Sequence, residues 1–416
     1  MPEKYLIAVL WLLLAACGET ITPATEPTAT FSPPPAATAT TIPSPASPVA
    51  ESLTPATNEA VFIPLMPGGA TQPTAEPTAM TASPETTTSE PAPSPPSLAA
   101  TPYVSYIPDT TPRPELGPSK MGIHVARPNS PAILEFVRAA LPPVVKGVDD
   151  LGFLAEVKEA SPGTVTIGRF SVDPQDYNGE PEAVAQALIA RQLPQMLQHP
   201  YVDYWEGWNE PDPGPERMDW YARLEAERVR QLAQHGLRAA VGGFSTGVPE
   251  LTEIEQFVPA IEAAKAHGGI LTLHEYAAPD LTFLYGDPLP GYPTYPDRGP
   301  LMFRYRWFYR DVLEPRGLVI PLVISEAGID GILGNRPGPD GLGWQDFQDF
   351  WVQQGWGPDG QTAYLNQLIW VDNEARLDPY VIGYALFTAG GGRAWDSYEL
   401  DPFLPRLAEY VRSQRP

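Results

Sequence analysis

The chain is predicted to fold as a (β/α)8 barrel behind a long disordered linker, and three observations carry that prediction. The 53 prolines are unevenly spread: 24 of them crowd into the 118 residues before residue 119, in a stretch of Pro, Thr, Ala and Ser with no sustained period of 2 or 3.6. From Met121 onward the texture changes, and short runs rich in Val and Ile alternate with amphipathic stretches. That alternation repeats eight times in roughly 300 residues, the count and size of a (β/α)8 barrel.

The elements follow in order. Residues 1–17 read as a signal peptide: the apolar run Tyr5 to Leu14 is too short to span a bilayer as a helix. The run Leu14-Ala15-Ala16-Cys17 resembles the bacterial lipobox, whose cysteine becomes the lipidated first residue of the mature protein. That resemblance implies a lipid anchor on Cys17 and an extracytoplasmic, cell-surface location. It also leaves no thiol for a disulfide or a metal, since Cys17 is the only cysteine. Residues 18–118 are too poor in apolar side chains to offset their ordering entropy, and their prolines suit an extended stalk.

Residues 119–416 are expected to form the barrel. The candidate strands are 121–125, 144–148, 164–169, 201–205, 239–243, 271–274, 322–325 and 381–386. Helices are expected over 132–140, 153–160, 181–197, 216–234, 253–266, 301–313, 361–374 and 404–412. An open doubly wound sheet is the rival architecture, but no Gly-rich phosphate turn follows the first strand. The stretch from Gly328 to Gly360, broken by Gly and Pro turns, is either one wall of a cleft or a surface loop.

The formal net charge is −24, of which the linker region holds −8 (ten acids, two bases in residues 1–118) and residues 119–416 the other −16. That sign repels nucleic acid and anionic membrane surfaces. No cofactor motif is found, and the five histidines do not pair at metal-ligand spacing. A monomer is expected.

Two segments place carboxylates at the C-terminal ends of strands, where a barrel builds its active site. One is Tyr204-Trp205-Glu206-Gly207-Trp208-Asn209-Glu210-Pro211, after strand four; the other is Pro321-Leu322-Val323-Ile324-Ser325-Glu326-Ala327-Gly328, on strand seven. A pair of carboxyls flanking one bond is what glycoside hydrolysis needs, one protonated and one ionised. Residue type, strand number and order resemble the clan A glycoside hydrolases, and the resemblance covers residues 119–416. It implies a retaining enzyme with Glu210 as acid/base and Glu326 as nucleophile, the carboxyls about 5–5.5 Å apart. The nearby negative Glu326 is expected to raise the pKa of Glu210. The substrate it implies is an extracellular poly- or oligosaccharide. The alternatives are a transglycosylase acting on wall glycans and a non-catalytic carbohydrate-binding barrel at the cell surface.

Supporting residues are read beside that pair. The resemblance implies that Asn209 meets the sugar 2-hydroxyl and that Tyr276, in a His-x-Tyr with His274, donates to Glu326. Strand alternation places His274 and Tyr276 on one face and turns Glu275 away. His124, at the end of strand one, is a candidate substrate contact. The clan has an Arg at the end of strand two; here Lys146 stands on strand two and Arg169 on strand three, so either is the candidate supporting cation. Sugar C–H faces stack on aromatic rings. Trp208, Tyr285, Tyr292, Tyr295, Trp344, Trp356 and Trp395 fall in loops on the catalytic side, with Trp395 the expected substitute for the clan's strand-eight Trp, where this chain has Phe387. Phe303, Trp307 and Phe308 fall at helical spacing and are expected in the core.

Overall fold

A computed structural model describes residues 103–415, apart from residues 173 and 394. The signal peptide, Cys17 and most of the linker lie outside the described residues. Eight parallel strands close a barrel in sequence order: β1 (Met121–Val125), β2 (Val144–Val148), β3 (Val165–Arg169), β4 (Tyr204–Glu206), β5 (Ala239–Phe244), β6 (Ile270–Ala277), β7 (Leu322–Ile329) and β8 (Val381–Ala389), with β8 pairing back to β1. The helices are α1 (Pro131–Ala140), α2 (Leu154–Ala160), α3 (Pro181–Met196), α4 (Met218–Gln234), α5 (Leu251–Ala266), α6 (Tyr305–Trp307, continued by a π-helical turn Phe308–Leu313), α7 (Gln348–Gln354), α8 (Gly360–Ala375) and α9 (Leu404–Ser413).

Local chemistry fixes several helix starts. Ser130 accepts from the Ala132 amide with Pro131 in the first turn of α1, and Asp359 accepts from the Thr362 amide at the start of α8. Glu250 and Glu253 form a reciprocal capping box on α5.

The interior of the barrel is layered. Val144, Ile167, Ala240, Ile270, Val323 and Ala385 form an apolar plug of their own. Two residues further along β2, β3 and β5, on the same face by strand alternation, stand Lys146, Arg169 and Gly242; Tyr204 touches the plug, and two residues beyond it stands Glu206. The barrel therefore changes from apolar to charged within one layer as it approaches its C-terminal mouth.

The structure moves some sequence-based boundaries. Strand four starts at Tyr204, not Tyr201, because residues 199–202 are spent in a turn closed by the Val202 amide on the His199 carbonyl. The stretch 328–360 contains an unexpected helix, α7. The linker boundary also changes. Residues 103–118, assigned to the linker by composition, lie on the barrel as a strap. Tyr103 and Ser105 hydroxyls donate to Asp280, just past the C-terminal end of β6, and Tyr103 packs on Phe283 and Phe350. Further on, the carbonyls of Thr111, Arg113 and Gly117 accept from Asn373 and Arg376 at the end of α8. Barrel helices run antiparallel to the strands, so the strap descends from the catalytic rim to the opposite face before β1 begins.

Candidate active site

Glu326 sits at the centre of the mouth and is almost fully buried. Its register is set by an irregularity between β6 and β7: Leu273 pairs with Ile324, but His274 pairs with Glu326, so Ser325 is left over. An extra residue of this kind re-aims the side chains that follow it. Glu326 Oε1 accepts from Lys146 Nζ at 2.9 Å and from Arg169 at 3.1 Å, and Oε2 accepts from the Tyr276 hydroxyl at 3.1 Å. His124 Nε2 lies 3.7 Å from Oε1, and His274 Nδ1 lies 3.6 Å from Oε2. Burial works against ionisation here, but His274, Lys146, Arg169 and His124 outweigh it and hold Glu326 well below the ordinary glutamate range. Glu326 is an ionised carboxylate.

Glu210 faces it from beyond β4, its side chain 36% exposed. Its φ of +45° is unusual for a non-glycine residue and costs about 1–3 kcal/mol. Pro211 disfavours the right-handed helical alternative, and the Glu210 amide is tied to the Gly243 carbonyl at 2.9 Å. Glu210 Oε1 accepts from the Ser245 hydroxyl at 2.9 Å and lies 2.9 Å from His274 Nδ1. An ionised Glu210 can only accept in that contact, so the His274 proton belongs on Nδ1. The expected rise in the Glu210 pKa is not found. Burial and the charge on Glu326 push it up, yet the donors His274 and Ser245 hold it below the ordinary range.

Glu210, His274 and Glu326 each offer a ligand-type atom within 4.8 Å of the others, the one such grouping among the described residues. Lys146 and Arg169 already bring to Glu326 the positive charge a cation would supply. The spacing equally suits a bond held between two carboxylates.

The sequence left Lys146 and Arg169 as competing cations; the structure uses both, from adjacent strands. Asn209 reaches the site through its Oδ1, which accepts from Arg169, while Gln175 donates to the Asn209 carbonyl. The Asn209 Nδ2 donates to no described residue. His124 is oriented by Thr388 Oγ1 at 2.7 Å and lies against Phe387, with ring centroids 4.8 Å apart. Phe387 also touches the Tyr276 ring and Trp395, so the strand-eight aromatic itself lies at the site, with Trp395 behind it at 5.2 Å. The Trp395 loop turns at Gly390, where a Cβ would strike the Arg127 carbonyl, and the Gly390 and Gly391 amides both donate to Glu399.

Trp208 is a correction. It is buried away from the mouth against Tyr177, Trp220 and Tyr221, because Gly207 lets the chain turn outward over α4. A Cβ at Gly207 would meet Glu225 and Arg228, a fully buried pair bonded at 2.7 Å. Other aromatic expectations fail likewise. Trp344 stacks on Tyr364, Trp356 is buried, Tyr285 packs on Trp370, and Tyr292 and Tyr295 line a separate cavity of about 290 Å³ beside Trp307. Phe303, Trp307 and Phe308 are buried as expected.

Sequence reasoning set aside Glu206 and overlooked Ser245 and Gln175. Glu206 points into the barrel, 2.7 Å from Lys146 Nζ; its i, i+2 relation to Tyr204 at the plug was the available signal. Glu275 turns away, as alternation predicts, and accepts from the Phe303 and Tyr305 amides. Burial pushes its pKa up to about 7, but it lies behind the barrel wall, on the far face from Glu326.

No protein-family model and no curated protein sequence matches the chain. Among solved structures, it is similar to an endo-β-1,4-mannanase from Thermotoga petrophila, with 12% identity and a TM-score of 0.38 over 71% of this chain and 77% of that one. It is similar also to a glycoside hydrolase family 5 enzyme from Prevotella bryantii B14, with 12% identity and a TM-score of 0.40 over 76% and 99%. A third is a truncated 3-deoxy-D-arabino-heptulosonate 7-phosphate synthase from Thermotoga maritima, with 13% identity and a TM-score of 0.33 over 70% and 83%. With likeness this distant, the chemistry of this chain has to be read from its own site.

Proposed function

We propose that the chain is a retaining glycoside hydrolase of clan A type, with Glu326 as nucleophile and Glu210 as acid/base, acting on an extracellular poly- or oligosaccharide. The observation that carries this reading is the pair of carboxylates, one four residues past β4 and one within β7, with oxygens within 4.8 Å of each other. An inverting enzyme needs room for a water between its carboxyls, about 6.5–9.5 Å, and a retaining one about 5–5.5 Å. The partition of neighbours supports the roles. Glu326 is buried among Lys146, Arg169 and the Tyr276 hydroxyl, as an ionised attacking group needs, while the half-exposed Glu210 stands where a leaving group departs. Asn209 Nδ2, which donates to no described residue, would donate to a sugar hydroxyl beside the reacting carbon in this reading.

The test is stereochemical. Proton NMR of the first product from an aryl β-glycoside should show the starting anomeric configuration, and a 2-deoxy-2-fluoro dinitrophenyl glycoside should add one sugar mass to the Glu326 peptide. An inverted first product would rule the reading out.

We also propose that Cys17 carries a lipid that holds the enzyme at a bacterial membrane. Metabolic labelling with radioactive palmitate should mark the full chain and fail to mark Cys17→Ser; equal labelling of both would remove the anchor from the proposal.

A further inference from the structure

Beneath the reacting pair lies a charge cluster larger than two-carboxylate chemistry requires. Lys146 is fully buried and bridges two carboxylates, Glu206 at 2.7 Å and Glu326 at 2.9 Å. Arg169 stands 3.1 Å from Glu326 and 3.9 Å from Glu206. Lys146 is the nearest cation to Glu206, which lies too deep to reach a substrate. A carboxylate placed there, at the expense of burying a charge, needs a reason.

We propose that Glu206 is a positioning residue that holds Lys146 on the nucleophile and keeps that cation paired after Glu326 has lost its charge. The inference rests on the retaining reading. In the first step a Glu326 oxygen bonds the anomeric carbon, the bond to the leaving oxygen breaks, and that oxygen takes the electron pair and the Glu210 proton. Glu326 is then a neutral ester, and Glu206 is the one buried anion left facing Lys146 and Arg169. In the second step Glu210 takes a proton from water, the water oxygen bonds the anomeric carbon, and the ester electron pair returns to Glu326. Without Glu206, both cations would pull on Glu326 alone. That favours its ionised form, making it a weaker nucleophile and a better leaving group.

The groups facing this pair are His124 from β1, Lys146 from β2, Arg169 from β3, His274 from β6 and Glu326 from β7, with Arg228 and Glu225 of α4 paired to each other behind the strand. Burial opposes the charge on Glu206, but Lys146, Arg169 and His274 draw its pKa down to about 2, so it is an anion throughout the working range.

The variant is Glu206→Gln in the full chain, assayed with 2,4-dinitrophenyl β-cellobioside and β-mannobioside, whose leaving group makes ester breakdown rate-limiting. We expect kcat/KM to fall about tenfold, the equivalent of one pKa unit, while kcat holds or rises, the burst shrinks and the acid limb of kcat/KM moves to lower pH. A common fall in kcat and kcat/KM with an unmoved acid limb would overturn the proposal. Thermal unfolding supplies a readout free of activity: Glu206→Gln should lower Tm more in a Glu326→Gln background, where the nucleophile is uncharged, than in the wild type. Equal losses in both backgrounds overturn the proposal by themselves. Absence of wild-type turnover and of Glu326 labelling would instead remove the hydrolase reading.

Discussion

Glu326→Ala is expected to lower kcat on an aryl glycoside by roughly five orders of magnitude, because the nucleophile and its surroundings act as a unit. The fold should survive, since the deletion leaves a hole at the mouth and not in the apolar plug. What remains is an anion cage without its anion: Lys146 and Arg169 surround the emptied position, and the Tyr276 hydroxyl faces it. Azide should enter that cage and attack the anomeric carbon from the nucleophile's side, restoring turnover and giving a glycosyl azide of inverted configuration. The rate is followed by nitrophenolate release and the product by NMR. Wild-type-like hydrolysis in the variant would sink the assignment.

Glu210→Ala has the next largest effect and a different signature. Loss of a general acid costs about 10²–10⁴-fold where the leaving group needs a proton, and little where it does not. The variant should therefore be crippled on an unactivated oligosaccharide, yet still form the covalent intermediate with a dinitrophenyl glycoside. Azide should then yield a product of retained configuration. The pH profile of the wild type follows from the same contacts. The free enzyme needs Glu210 protonated and Glu326 ionised. Glu210 is held below the ordinary range by its donors, against burial, so kcat/KM should already be falling on the alkaline side in the acidic range. Ser245→Ala removes one of those donors, 2.9 Å away, and should move that limb to higher pH. A limb that stays in place would show that Ser245 does not set the Glu210 pKa.

The residues that could be read from the chain are those whose placement is local. Strand alternation turns Glu275 out and His274 and Tyr276 in, and Glu326, carried inside β7, stands at the mouth whatever the loops do. Glu210, four residues past β4, is instead held there by its amide bond to the Gly243 carbonyl. The doubt over Lys146 and Arg169 came from assuming a single supporting cation; both strands were counted correctly, and adjacent strands deliver both side chains to one oxygen. The aromatic residues were misread because alternation stops where the strand stops. Trp208 lies two residues past β4, and Gly207 sends it over α4 instead of into the mouth. The strap was invisible for another reason. Its Pro, Ser and Thr composition is that of the linker, and its partners are remote, Ser105 meeting Asp280 across 175 positions and Arg113 meeting Arg376 across 263. Composition reports how much surface a segment can bury unaided, not what a distant part of the chain offers it.

The strap also decides how the barrel bears load. A pull on the chain at Tyr103 does not reach β1 directly. It arrives first at the Tyr103 and Ser105 bonds to Asp280, then at the carbonyls held by Asn373 and Arg376, and only after these at Lys120 and Met121. Those attachments are strung along the line of the strap, so tension peels them one after another, each giving up a few ångströms of chain. Tension on the chain before Tyr103 would therefore meet the strap's bonds before it met the barrel strands, and among the described residues no strap side chain contributes to the carboxylate pair.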